Sequence, residues 1–129
     1  MAKSQDVLDE NLLELRNAGL KREREFYDYW KKGVAIVGYE FFGDGTKESF
    51  DNSNTKNDLR PELVKIEAAI KRFSFSEIAF LVSMFSFYND IKGAELCKRA
   101  NVLSVGSLTA LDKNKREIIA GLLINYSGW

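Results

Sequence analysis

The feature that most constrains the fold is a long stretch, 61–126, in which apolar residues recur at helical spacing almost without interruption. At its start Leu63, Ile66 and Ile70 are separated by three and four residues, the spacing of one helix face. Pro61 suits the first turn of a helix, where a missing N–H costs nothing. The stretch therefore predicts a compact C-terminal helical bundle.

The segment 73–88 contains five phenylalanines and a tyrosine, more aromatic volume than one buried helix face is expected to hold. Ser74 and Glu77 have the spacing of a capping box, which predicts that a helix begins there. Its inner face is predicted to consist of four residues at helical spacing: Ile78, Leu81, Val82 and Phe85. The remaining large side chains, with the tryptophan near the end of the sequence, are the predicted contact surface for another protein: Phe80, Met84, Phe87, Tyr88 and Trp129.

The first half of the chain has two different patterns. Residues 6–32 favour one long helix, or two helices broken near Gly19, with Leu8, Leu12 and Leu15 sharing a face. Residues 33–58 are predicted to form a hairpin and a polar linker, since 34–42 is β-branched and aromatic and a Gly-Asp-Gly turn follows it. The predicted fold class is thus α+β and predominantly helical: one domain, 1–129, with a long N-terminal helix over 1–32, a small β-hairpin within 33–58 and a helical bundle over 59–129.

Composition excludes several classes of chemistry. The chain has no histidine, which removes the commonest general base and metal ligand, and its single cysteine, Cys97, cannot form an intrachain disulfide. We therefore expect no enzyme, no cofactor and no metal site. The most distant alternative is an enzyme or ion site that uses the carboxylates on or near the predicted hairpin: Glu40, Asp44, Glu48 and Asp51.

One segment, 91–116, resembles the repressor/Cro type of helix-turn-helix. It has a Glu-Leu-Cys helix, a turn that carries Leu103 as one extra residue, and a second segment that ends in Asp-Lys-Asn-Lys-Arg. The resemblance implies that the second helix enters the DNA major groove. The positions facing the bases would then be Val105, Gly106, Thr109 and Ala110, and the implied DNA contacts are Thr109, Asn114, Lys115 and Arg116. The competing interpretation is two short helices packed in a helical core.

Charge and segment patterns favour a protein-interaction module over a DNA-binding protein. Basic and acidic residues balance at 19 each, which gives no general attraction to nucleic acid or to an anionic membrane. The N-terminus lacks the pattern of a secretory signal, and no stretch has the ~20 apolar residues of a spanning helix. We therefore expect a cytoplasmic protein-interaction module that self-associates as a homo-oligomer through the aromatic helix face, with no membrane contact; the helix-turn-helix DNA-binding regulator is the alternative.

Overall fold

The structure is a computed structural model that describes the backbone of residues 2–129 and the side chains of residues 7–129. Three short 3-10 turns, Tyr39–Phe41, Lys56–Leu59 and Val105–Ala110, connect the α-helices. In chain order these helices are α1 (Ala2–Val37), α2 (Lys47–Asp51), α3 (Leu63–Ala69), α4 (Phe75–Tyr88), α5 (Asp90–Arg99) and α6 (Lys113–Asn125).

The predicted α+β fold class is wrong, because the described chain is all-helical and contains no sheet. The β-branched residues expected in the first strand continue α1 instead, and Val34 is fully buried there. α1 ends at Val37 and is followed by Gly38, whose positive φ of 121° is a backbone conformation open to glycine. The segment expected to return as a strand forms α2, which Thr46 caps by accepting a bond from the Ser49 N–H.

Burial explains why the segment predicted as a strand is part of a helix. Strand propensity is a weak preference for a half-buried surface, and the same β-branched side chains pack equally well on a helix that faces a core. The only β pairing described is a single bridge between Phe42 and Pro61. There Gly43 N–H donates to the Arg60 carbonyl at 2.8 Å, so the chain pairs with the following linker and forms no hairpin.

The centre of the fold is α4, in which eight of the 14 residues are buried. The predicted inner-face residues Ile78, Leu81, Val82 and Phe85 are all buried, which confirms that part of the pattern. Ser74 caps the helix as predicted, since its Oγ accepts from the Glu77 N–H at 3.3 Å. This burial is explained by the neighbours of the helix, since α1, α3, α5 and α6 all pack against α4.

Two glycines bring helices unusually close together. A Cβ built on Gly93 of α5 would lie 2.7 Å from the Ser86 Cα of α4. A Cβ on Gly121 of α6 would lie 2.6 Å from the ring of Tyr29 on α1. Neither contact tolerates a side chain without a shift of the neighbour, so these positions set how α5 sits on α4 and α6 on α1.

The final helix agrees with its predicted range of about 112–126. Asp112 caps α6 by accepting from the Lys115 N–H at 2.9 Å. Ile118, Ile119 and Leu122 are buried as predicted. Leu123, which was also predicted to face inward, is 63% exposed, so the buried face of α6 is narrower than its apolar pattern.

Candidate interaction surface

The long helix α1 passes from a buried to an exposed environment along its length. Phe26, Trp30 and Val34 belong to the core. Before them, residues 7–24 are exposed except for Gly19, which is partly buried. We call residues 7–24 the arm and residues 26–129 the head. At 1.5 Å per residue the arm is about 27 Å long.

The arm presents many large apolar side chains to solvent. Single exposed apolar residues are ordinary on a protein surface, but six within 14 consecutive residues are not. Each of the six is between 53% and 71% exposed: Val7, Leu8, Leu12, Leu13, Leu15 and Leu20.

Three of these residues, Leu8, Leu12 and Leu15, form one row that we call the leucine stripe. At 100° per residue they lie within about 60° of one another around the helix axis. Farther along α1 the same face carries Phe26 and Trp30, which are buried in the head. The leucine stripe is therefore the continuation, outside the head, of the face that α1 uses to enter the core.

Leu13 and Leu20 lie on a neighbouring row of the arm. That row continues to Tyr27, where a cavity of about 270 Å³ separates α1 from the loop 54–57. Tyr27 lines this cavity, and its hydroxyl donates to the Ser53 carbonyl at 2.7 Å.

The base of the arm is held by an aromatic cluster. The Trp30 Nε1 donates to the Leu59 carbonyl at 2.8 Å, which leaves no buried donor unsatisfied at this tryptophan. The centroid of the Trp129 ring lies 4.9 Å from that of the Trp30 ring and 6.1 Å from that of the Phe26 ring, and both pairs are edge to face. Lys56 Nζ covers the Trp129 ring at 5.1 Å and donates to the Gly128 carbonyl. These contacts fix the direction in which the arm leaves the head.

The predicted aromatic contact surface lies in the interior of a single chain. Phe80 and Met84 have no exposed surface, and Phe87 is 9% exposed. Tyr88 and Trp129 are half-buried and pack on each other, with ring centroids 5.1 Å apart. The aromatic volume that motivated the prediction is therefore taken up by ring pairs within the head, and the exposed apolar surface lies on the arm instead.

The sequence contained a signal for the arm that the prediction did not use. The shared face of Leu8, Leu12 and Leu15 is visible from spacing alone. What spacing does not show is whether another element of the chain covers that face. In the structure none of the three is covered.

The residues of the helix-turn-helix resemblance do not form one continuous second helix. Val105–Ala110 is a 3-10 turn, and α6 begins only after the Asp112 cap. Arg116 donates through Nε to the Leu111 carbonyl at 2.7 Å and through a second nitrogen to the Thr109 carbonyl, so it closes the end of that turn. Of the other implied DNA contacts, Asn114 and Thr109 are exposed, and the Lys115 side chain is only 15% exposed.

The four carboxylates of the predicted hairpin are dispersed over separate local structures. Asp44 accepts from the Thr46 hydroxyl at 2.6 Å and from its N–H at 2.9 Å, and these bonds lower the pKa of Asp44. Asp51 pairs with Lys47 at 3.5 Å, while Glu40 and Glu48 are exposed. Among the residues with described side chains, no group of three or more acidic or cysteine side chains has a geometry that could hold a metal ion.

Two further grooves flank α6 on the head. One, of about 230 Å³, is almost wholly apolar and lies against the 3-10 turn of residues 105–110. The other, of about 680 Å³, is open and lies beside Tyr88, Tyr126 and Trp129. Small-molecule sites combine an apolar wall with a few convergent polar groups. The apolar groove has one charged lining residue, Arg116, and its guanidinium is already bonded to backbone carbonyls.

Of the helices that the structure describes, none has the length and apolarity needed to cross a bilayer. Comparison of the chain with protein-family models, with curated proteins and with solved structures finds no match.

Proposed function

We propose that the protein is a protein-interaction module in which a compact helical head carries a helical arm, and that the leucine stripe of the arm is its binding surface. The observation that carries this proposal is the exposure of Leu8, Leu12 and Leu15 on the face that is buried farther along α1. We place the module in the cytoplasm, because a chain with one cysteine fits a reducing compartment.

The physical argument for a partner concerns the stability of the arm. Isolated helices shorter than about 12–15 residues are marginal in water, and longer ones gain most of their stability from packing an apolar face. The arm has such a face and no part of the head covers it. Burying one leucine is worth about 1.5–3 kcal/mol, so covering the stripe would stabilise both the helix and the complex.

A helical arm of this kind suits recognition by another protein. Amphipathic helices bind by laying residues at positions i, i+4 and i+7 into a groove or against a second helix. Leu8, Leu12 and Leu15 have this spacing. The arm also carries charged residues on its other faces, including Glu10 and Lys21, which keep it hydrated when the stripe is uncovered.

The proposal is tested by photo-crosslinking in cells that express the tagged full chain. A photoreactive amino acid is placed at Leu12 or, as the matched control, at Val64, an equally apolar position on α3 of the head that is 71% exposed. We expect a crosslinked protein product, whether with another protein or with a second copy, from position 12 and not from position 64. Adding Leu8→Glu and Leu15→Glu should abolish it. Equal crosslinking at both positions, or none at position 12, would overturn the proposal.

A further inference from the structure

We propose that the partner of the leucine stripe is the same stripe of a second copy of this chain, with the two arms antiparallel. The inference rests on the proposed function, since it takes the arm as the binding surface and names what covers it. Three features of the arm carry it: the distribution of charge, the position of a glycine and the location of the heads.

The charge of the arm is divided between its two ends. Residues 7–14 contain three carboxylates and no basic residue: Asp9, Glu10 and Glu14. Residues 16–24 contain four basic residues and one carboxylate: Arg16, Lys21, Arg22, Arg24 and Glu23. A parallel pair would place acidic end beside acidic end, whereas an antiparallel pair centred on the arm brings Asp9 and Glu10 level with residues 17 and 18 of the second copy, between its Arg16 and Lys21. The charge pattern therefore favours a second copy in the antiparallel orientation.

The spacing of the stripe defines a register for this pair. Leu8, Leu12, Leu15 and Gly19 alternate in steps of four and three, the spacing of a helix–helix seam. In an antiparallel pair centred between residues 13 and 14, Leu12 packs against Leu15 of the second copy. Leu8 then lies over Gly19 of the second copy, so a large side chain meets a position without one.

Gly19 has no evident role within its own chain. A Cβ built there meets no atom within 4 Å, whereas Gly93 and Gly121 lie at tight contacts between helices. Glycine inside an exposed helix is unfavourable compared with alanine. A close approach by Leu8 of a second copy supplies the missing reason for a glycine at this position.

The arrangement also keeps the two heads apart. α1 enters the head at Phe26. In this register the Phe26 residues of the two copies are about 37 Å apart along the common helix axis, at 1.5 Å per residue. The heads therefore lie at opposite ends of the paired arms, and pairing over residues 7–20 requires no rearrangement of either core.

The first test is the mass of the purified full chain by light scattering over a hundredfold concentration range. We expect it to rise from 14.7 kDa towards twice that value. Leu12→Glu should hold it at the monomer mass, with thermal unfolding of the head unchanged. The control is Leu13→Glu, since Leu13 is 56% exposed and Leu12 is 64% exposed, but Leu13 lies about 100° from Leu12 around the helix and outside the leucine stripe. A Leu13→Glu variant that dissociates as readily as Leu12→Glu would overturn the assigned face.

The second test determines orientation by disulfide formation in a Cys97→Ala background. Two variants, Leu8→Cys and Gly19→Cys, are oxidised separately and as a mixture. The antiparallel register predicts a crosslinked dimer in the mixture and far less in either variant alone. Efficient crosslinking of each variant with itself would indicate parallel arms and overturn the inference.

The two proposals fail in different ways. A full chain that remains at 14.7 kDa at every concentration would overturn self-pairing. If position 12 nevertheless crosslinks to a different protein in cells, the proposed function stands and only the identity of the partner changes. If the mass does not rise with concentration and position 12 gives no crosslinked product, the arm is not a binding surface.

Discussion

At the scale of single residues, the same amino acid has opposite roles in different parts of this chain. Leu81 is fully buried at the centre of α4, whereas Leu15 on the arm is among the most exposed apolar side chains described. Both lie on helices and both follow an apolar period. The two residues differ in whether other elements cover their helix. Substitution of Leu81 should therefore change the free energy of unfolding, and substitution of Leu15 should change binding.

We expect Leu81→Ala to lower the free energy of unfolding by about 2–5 kcal/mol, because it opens a cavity in a core that is packed on every side. Leu123→Ala on the exposed side of α6 should change it by less than about 0.5 kcal/mol. Urea unfolding at one fixed protein concentration measures both. Similar losses at the two positions would contradict the assignment of the core.

The turn between α1 and α2 contains a carboxylate whose pKa is set by local hydrogen bonds. The hydroxyl and the N–H of Thr46 bond to the Asp44 carboxylate and lower its pKa below the usual 3.8. Because the folded pKa is depressed, the stability this group contributes is complete above the unfolded value and is lost as pH falls through the folded one.

Thr46→Val removes the hydroxyl, and with it the cap of α2, but retains the backbone donor to Asp44, so we expect the pKa of Asp44 to rise part of the way towards 3.8. Asp58 provides an internal control, since its pKa is lowered by the N–H groups of Asn54 and Thr55 instead. An NMR titration of the carboxyl carbons follows both groups in one sample. A shift of equal size at Asp58 would show that the substitution disturbs the fold rather than one bond.

At the scale of elements, α1 has two parts that differ in their dependence on the head. Its second part supplies Phe26, Trp30 and Val34 to the core and packs along α6. Its first part, the arm, has exposed side chains. One continuous helix therefore joins a structural segment to a segment whose apolar face is available for binding.

Deleting residues 1–18 should leave the head folded. We expect the thermal unfolding midpoint to remain within a few degrees of its value in the full chain measured as a monomer, because the core and its aromatic cluster are intact. The same deletion should remove any dependence of mass on concentration. A shortened chain without a cooperative unfolding transition would show that the arm belongs to the core.

At the scale of the whole molecule, neither charge nor geometry favours DNA binding. The chain has no net charge, Arg116 bonds to carbonyls of its own chain, and a 3-10 turn stands where a recognition helix was implied. Fluorescence anisotropy with a mixed-sequence duplex at about 50 mM salt should therefore detect no salt-sensitive complex. A complex of micromolar or tighter affinity, weakened by Lys115→Ala with Arg116→Ala, would restore the helix-turn-helix interpretation.

Sequence alone determined the features that depend on local chemistry. The inner face of α4, the Ser74 cap and the approximate bounds of α6 follow from helical period and from the ability of a side-chain oxygen to accept backbone N–H groups. These signals need no knowledge of distant residues. The same holds for the shared face of Leu8, Leu12 and Leu15, which is a property of spacing.

Only the tertiary structure decided which apolar surfaces have a neighbour. Residues 34–37 have the composition of a strand but continue α1, because the buried side of that helix offers Val34 a complete packing environment. Phe80 and Met84 resembled surplus on one helix face, yet elements from both ends of the chain cover them. The leucine stripe has the spacing of one helix face, yet nothing in the head reaches it. Helical spacing defines a face, but burial of that face depends on contacts between residues far apart in sequence.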